Sequence, residues 1–179
     1  METKNTVFIA QSLDGYIADK NGGLEWLETI PNPERKDMGY LPFMERIDAI
    51  VMGRSTYEVV RNFGIPWPYT KPVFVLSHTI GSLPAELKGK VELLKGEVTE
   101  VLQSIRSKGY ARLYIDGGVT IHNFLKEDLI DELIISRIPI LLGGGIPLFK
   151  DFPNELVFKH IKSELFLNEI VQDHYERKR

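Results

Sequence analysis

Residues 112–125, RLYIDGGVTIHNFL, change period halfway along. The apolar run Leu113-Tyr114-Ile115 ends on Asp116, two glycines follow, and a helical repeat takes over. A short apolar run bounded by polar and glycine residues reads as an interior strand covered on both faces. In an open α/β sheet, ligands sit outside the carboxyl ends of such strands. Gly117 and Gly118 carry no Cβ, so a backbone can approach a ligand there. A helix beginning at Val119 or Thr120, and running on through Ile121, aims its unpaired N–H groups and positive dipole end into the same space, which suits an anion such as pyrophosphate. On this segment alone, a tight strand-to-helix turn accounts for the glycines equally well.

The flanking sequence repeats the unit. Residues 6–10 (TVFIA), 48–52 (DAIVM) and 72–76 (PVFVL) are further buried strands, and residues 56–62, 98–108 and 119–127 are helices. Strand and helix in alternation predict a largely parallel α/β sheet. Residues 131–138, 155–161 and 166–175 read as strands with no helix between them, which predicts antiparallel pairing at the end of one mixed sheet. No repeat or low-complexity tract divides the chain, so residues 1–179 are expected to form a single domain.

A second glycine junction lies in residues 50–60, IVMGRSTYEVV, where an apolar strand meets Gly53 and Ser55-x-x-Glu58 has the spacing of a capping box. Arg54 sits on that turn beside Ser55 and Thr56, and its planar fork of donors matches a phosphate oxygen better than a simple turn requires. Two such junctions in one chain favour a dinucleotide phosphate. A third strand end supplies Ser77, His78 and Thr79, which suit either a ribose and its phosphate or an ordinary Ser/Thr turn.

Composition narrows the classes. The chain has 179 residues, 43% hydrophobic, with 22 Lys and Arg against 25 Asp and Glu for a net charge of −3. That balance creates no field to attract nucleic acid or an anionic membrane, which argues against such partners and leaves a small-molecule substrate open. The longest apolar stretch, residues 133–146, holds Arg137 and three glycines and is too interrupted to span a bilayer. The absence of cysteine and of a signal-like N-terminus favours a reducing cytoplasm. The four histidines lack ligand spacing, which argues against a metal site. The P-loop, G-x-G-x-x-G and G-x-S-x-G patterns are missing as well.

Four motifs in order, SLDG (12–15), MGRSTYE (52–58), DGG (116–118) and LLGGGIPLF (141–149), resemble the dihydrofolate-reductase-like family, in the branch similar to the C-terminal reductase domain of the bifunctional riboflavin-biosynthesis deaminase/reductase. The resemblance implies a three-layer α/β/α fold with a mixed, mainly parallel sheet of about eight strands, antiparallel at its C-terminal end. It also implies NADPH across the strand ends, hydride transfer to a small heterocycle or ribosylamino-pyrimidine, and a homodimer. Nominally the reaction is that of 5-amino-6-(5-phosphoribosylamino)uracil reductase in riboflavin biosynthesis. A dihydrofolate-reductase activity or a non-catalytic NADPH-binding sensor is the alternative.

By the same resemblance, Gly53, Arg54, Ser55 and Thr56 contact the cofactor phosphates, and Ser77, His78 and Thr79 the adenosine ribose and 2′-phosphate. Gly117, Gly118, Val119, Thr120 and Ile121 lie on the pyrophosphate and nicotinamide side, and Ala10 and Ile17 flank the nicotinamide. The loop of residues 12–18 is expected to bend over the site. Asp116 and Asp37 are the candidate acids, Asp37 serving equally as a cap for a short helix over residues 41–47 with Pro42 in its first turn. The chain lacks a zinc-deaminase signature, so it is expected to be a stand-alone reductase. It also lacks the Pro-Trp pair of a true dihydrofolate reductase loop, and Trp26 reads as a core or rim residue.

Overall fold

The computed structural model describes residues 2–179. Its main sheet contains β1 (Lys4–Ser12), β3 (Ala49–Gly53), β4 (Val73–Leu76), β5 (Val91–Leu94), β6 (Arg112–Asp116), β7 (Glu132–Ile138), β9 (Phe158–Phe166) and β10 (Ile170–Arg177). The spatial order is β5-β4-β3-β6-β1-β7-β10-β9. The first six of these pair in parallel, and β10 runs antiparallel to both neighbours. A separate ribbon pairs β2 (Tyr16–Ala18) with β8 (Ile146–Pro147). The helices are α1 (Tyr40–Glu45), α2 (Arg54–Arg61), α3 (Val98–Ser107) and α4 (Gly118–Lys126).

Side-chain alternation along the interior strands builds two apolar layers. Ala49, Val51, Leu113 and Ile115 pack with Val101 and Ile105 of α3 and Ile121, Phe124 and Leu125 of α4. Ile50, Met52 and Tyr114 face the other way, toward Phe43 of α1 and Tyr57 of α2. The strands expected from residues 6–10, 48–52, 72–76, 113–115 and 131–138 are present, extended or shifted by a few residues at their ends. No helix of the described residues is long and apolar enough to cross a membrane.

The C-terminal hairpin is displaced from its expected position. Strands were expected over 155–161 and 166–175, but they run from Phe158 to Phe166 and from Ile170 to Arg177. The turn falls on Leu167 and Asn168, both with positive φ (51° and 61°). Asn tolerates that conformation, and two successive left-handed residues give the turn whose twist matches a hairpin. The apolar Leu165-Phe166-Leu167 run obscured it, because Leu167 lies in the turn rather than in a strand. β5 was not anticipated either: its exposed Glu92 interrupts the short run VELL. The two- and three-residue strands β2 and β8 exist only through their mutual pairing.

Candidate functional site

In the β3–β6 pair Met52 stands opposite Asp116, so the next residues, Gly53 and Gly117, lie side by side at the carboxyl ends of adjacent strands. Each glycine packs against the first turn of the other's helix. A Cβ on Gly53 would come within 2.9 Å of Thr120 Oγ1, and one on Gly117 within 2.1 Å of Thr56 Oγ1. Gly117 also has φ 87° and ψ 135°, a conformation that L side chains rarely adopt. Close approach and backbone conformation therefore demand glycine at Gly117, a Cβ at Gly53 would crowd Thr120, and the N-termini of α2 and α4 lie against each other.

Neither N-terminus is capped by a side chain. The expected Ser55–Glu58 capping box does not form, because α2 begins two residues too early for it, with Gly53 rather than Ser55 as N-cap. Glu58 instead lies 3.8 Å from the Arg54 guanidinium. The amides of Arg54, Ser55 and Thr56, and of Gly118, Val119 and Thr120, are thus the free first-turn donors of two adjacent helices. Ile121 is not among them: its N–H bonds to the Gly117 carbonyl at 2.9 Å, and its side chain is fully buried in the core.

The third strand end joins the same groove. Arg54 Nη1 lies 3.4 Å from Thr79 Oγ1. Ser77 is buried, and its hydroxyl accepts the N–H groups of Thr79 and Ile80 at 3.2 and 3.1 Å. Ser77 thus shapes the turn, while His78 and Thr79 are exposed beside Arg54.

The β2–β8 ribbon covers the α4 end of the groove. A Cβ on Gly118 would come within 2.7 Å of Ile17 Cδ1 and 3.7 Å of an Ile146 methyl, so Ile17 rests on the first turn of α4. Ala10 lies further along, on β1, packed toward Trp26 and Ile138. The loop expected to bend over the site is held to the chain near residues 142 and 143. Asp14 accepts the Leu142 and Gly143 amides at 3.1 and 2.8 Å and the Ser12 hydroxyl at 2.6 Å, which hold its carboxyl below the usual range. Gly145 (φ 151°) leaves no room for a Cβ, which would fall 2.1 Å from the Ala18 carbonyl oxygen. Gly145→Ala is expected to detach the ribbon while the main sheet persists, read as faster hydrogen exchange confined to residues 16–18 and 146–148; unchanged exchange there would refute the packing role.

Asp116 closes β6 beside these amides, half-buried, with Oδ1 accepting the Gly117 N–H at 2.8 Å. Loss of solvent raises its pKa to about 6, against the opposing pull of the Gly117 N–H and the Tyr114 hydroxyl. Tyr40, Tyr69 and Tyr114, from separate segments, lie near enough for its charge to act on them, and each belongs to an aromatic cluster. Phe8, Tyr40, Phe43 and Tyr114 form one cluster, with ring centroids of Phe8–Phe43 at 4.8 Å and Phe43–Tyr114 at 5.1 Å. Tyr57, Trp67 and Tyr69 form a second, with centroids 5.9 and 5.3 Å apart along the chain of rings. Burial, reinforced by the Asp116 charge, raises the Tyr40 phenol to about 12 and raises those of Tyr69 and Tyr114 as well. Sequence reasoning missed Tyr40, Trp67 and Tyr69; the one available signal was an aromatic run, WPY at 67–69, in a segment without strand or helix periodicity.

Asp37 is exposed and takes the capping alternative. Its carboxylate accepts the Leu41 N–H at 2.7 Å at the start of α1. Buried Gln172 donates to the Met38 carbonyl at 3.1 Å and to Ser136 Oγ at 3.0 Å, which ties the segment leading into Tyr40 onto the sheet.

Helices packed on a mixed, mainly parallel eight-stranded sheet that is antiparallel at its C-terminal end define a dihydrofolate-reductase-like fold. The dihydrofolate reductase of Enterococcus faecalis, solved with NADP(H) and RAB-propyl, matches 98% of this chain and 97% of its own at TM-score 0.68 and 18% identity. The family model described as the RibD C-terminal domain matches residues 3–172, and the chain belongs to that family. A Shewanella sp. PV-4 protein, whose assignment to riboflavin biosynthesis is itself provisional, is 55% identical at TM-score 0.95, over 98% of this chain and 99% of that one. The Thermotoga maritima diaminohydroxyphosphoribosylaminopyrimidine deaminase/5-amino-6-(5-phosphoribosylamino)uracil reductase has TM-score 0.75 at 14% identity; the match covers 99% of this chain and 57% of the Thermotoga protein.

Proposed function

We propose that the protein is an NADPH-dependent reductase of a small heterocyclic substrate related to the ribosylamino-pyrimidine reduced by the riboflavin-pathway reductases. One observation carries this reading: Gly53 and Gly117 adjoin, and the unfilled amides of two helix N-termini meet at one groove. The donor set fits a pyrophosphate, since paired N-termini offer convergent N–H groups and positive dipole ends to a dianion. Residues Gly53 to Thr56 and Gly117 to Thr120 would hold the diphosphate. Arg54, His78 and Thr79 would hold the adenosine 2′-phosphate, and Ile17 and Ala10 would border the nicotinamide. When bound, NADPH supplies the hydride.

The chain's own residues supply placement and a proton. The ribbon carrying Ile17 covers Gly118 at the start of α4, which would help exclude water from that side of the site. Asp116, poised near neutrality, can donate a proton in its acid form at a position its Gly117 hydrogen bond holds in place. Its protonated fraction falls about tenfold per pH unit above its pKa of about 6, so kcat is expected to decline on that limb. A kcat flat from pH 5 to 8 would remove Asp116 from the proton path.

Fluorescence titration with NADPH, followed by loss of reduced cofactor with candidate substrates, tests the reading. Saturable binding with oxidation supports it, binding without oxidation across the panel favours a non-catalytic cofactor-binding protein, and no binding overturns both. Arg54→Ala is expected to weaken NADPH by about tenfold or more while sparing NADH, because a charge-assisted contact to the 2′-phosphate is lost. Equal, negligible effects on both would make Arg54 an ordinary loop charge.

A further inference from the structure

The main sheet ends in two unlike edges. At one end β5 is four residues long, too short to offer another strand much to pair with. At the other end β9 runs for nine residues and is hydrogen-bonded to β10 on one side only. Lys159 to Ser163 are all exposed, so neither face of β9 is covered there, and Ile161 and Leu165 are 45% and 63% exposed. A long open edge presents a row of unpaired N–H and C=O groups that a further strand can complete.

A bulge limits how much of that edge is regular. Lys162 pairs with His174 but His160 with Tyr175, which leaves Ile161 as the extra residue. Strict alternation therefore begins at Ile161, with Ile161, Ser163 and Leu165 on one face and Lys162 and Glu164 on the other. Lys162 Nζ is bonded to Glu164, and His174 Nε2 lies 3.4 Å from the same carboxylate. On the first face Ser163 donates to buried Asp173, which pairs with Arg137 at 2.7 Å, and His160 Nε2 lies 2.9 Å from Ser163 Oγ. These contacts fasten the centre of β9 to β10. An edge lysine ordinarily repels a further strand, but Lys162 is matched by a carboxylate two residues on.

The pattern is complementary to itself. When a strand pairs antiparallel with its own copy about a two-fold axis, opposed residues share a face, so one residue must stand opposite itself. An axis at Lys162 or Glu164 would set like charges directly opposite, which is destabilising. An axis at Ile161 falls on the bulge, and one at Leu165 runs into the turn at Leu167. An axis at Ser163 sets Lys162 opposite the partner's Glu164 and Ile161 opposite the partner's Leu165, each of them twice. We propose that β9 is the interface between two copies of this chain, paired antiparallel about Ser163 over residues 161–165. The two sheets then become one continuous sheet, with the glycine grooves of the two copies at its opposite ends.

Sedimentation velocity between about 1 and 100 µM, with charge variants, tests the surface and its register. The parent chain is expected to dimerise in that range. Lys162→Glu and Glu164→Lys each set like charges across the axis and are expected to weaken dimerisation by about tenfold or more, and mixing the two variants in equal amounts is expected to restore it. The chain has no cysteine, so Ser163→Cys reports the axis alone. Directly opposed residues of antiparallel strands have Cα atoms about 4.5 to 5.5 Å apart, within disulfide reach, so mild oxidation is expected to link Ser163→Cys copies and to leave His160→Cys copies unlinked. A parent chain that stays monomeric, a dimer indifferent to both charge changes, no recovery on mixing, or equal linkage through the two cysteines overturns the proposal.

Discussion

Gly117→Ala is expected to lower Tm by about 10 °C and to weaken NADPH binding by at least about 100-fold. Two independent costs act at this position. The added methyl would lie 2.1 Å from Thr56 Oγ1, and the backbone would retain φ 87°, which an L residue adopts only under strain. Together these are of order 3–5 kcal/mol. Relief by moving α2 away from α4 would separate the two sets of amides, so affinity falls along with stability. The double variant Gly117→Ala/Thr56→Ala removes the clash but leaves the strained φ, and it should recover part of the lost Tm. Thermal unfolding and NADPH titration of both variants check this, and a Tm within about 2 °C of the parent in Gly117→Ala would show that the junction is not packed as described.

Asp116→Asn is expected to move activity and stability in opposite directions. Turnover should fall about 100-fold because the amide cannot donate an acid proton, while NADPH affinity stays within about threefold. Stability should rise. The folded-state pKa of Asp116 is about 6 against 3.8 for an ordinary Asp, so between these values the folded chain binds more protons than the unfolded one. Stability from this group is therefore present at low pH and lost as pH climbs through that window. At pH 7 the ionised carboxyl costs up to about 3 kcal/mol, discounted for its partial exposure, and the asparagine variant escapes that cost. Chemical denaturation at pH 4 and pH 7 checks the sign: the gain belongs at pH 7 and should shrink at pH 4. A large loss of cofactor affinity in Asp116→Asn would reassign the carboxyl to the cofactor.

Strand and helix identity was legible wherever the apolar period was strong. Leu113-Tyr114-Ile115 and Val73 to Leu76 sit in the centre of their layers, and both glycine junctions were visible as breaks between two periods. Residues whose role depends on a partner distant in sequence were not legible. Asp14 looks like a turn acid until residues 142 and 143 donate to it, and Asp37 reads equally as a site carboxyl or a cap until Leu41 N–H occupies it. The Ser55–Glu58 spacing predicted a cap that the earlier start of α2 prevented, leaving the donors open instead.

By itself the sequence determined the alternating α/β order and the glycine that ends β3 and follows β6, because hydrophobic periodicity and backbone freedom are local properties. Only the tertiary structure decided that β3 and β6 are neighbours, that Thr56 closes on Gly117 and Thr120 on Gly53, and that Tyr40, Tyr69 and Tyr114 lie near Asp116. Those outcomes depend on sheet order and close packing between segments tens of residues apart, which no local pattern encodes.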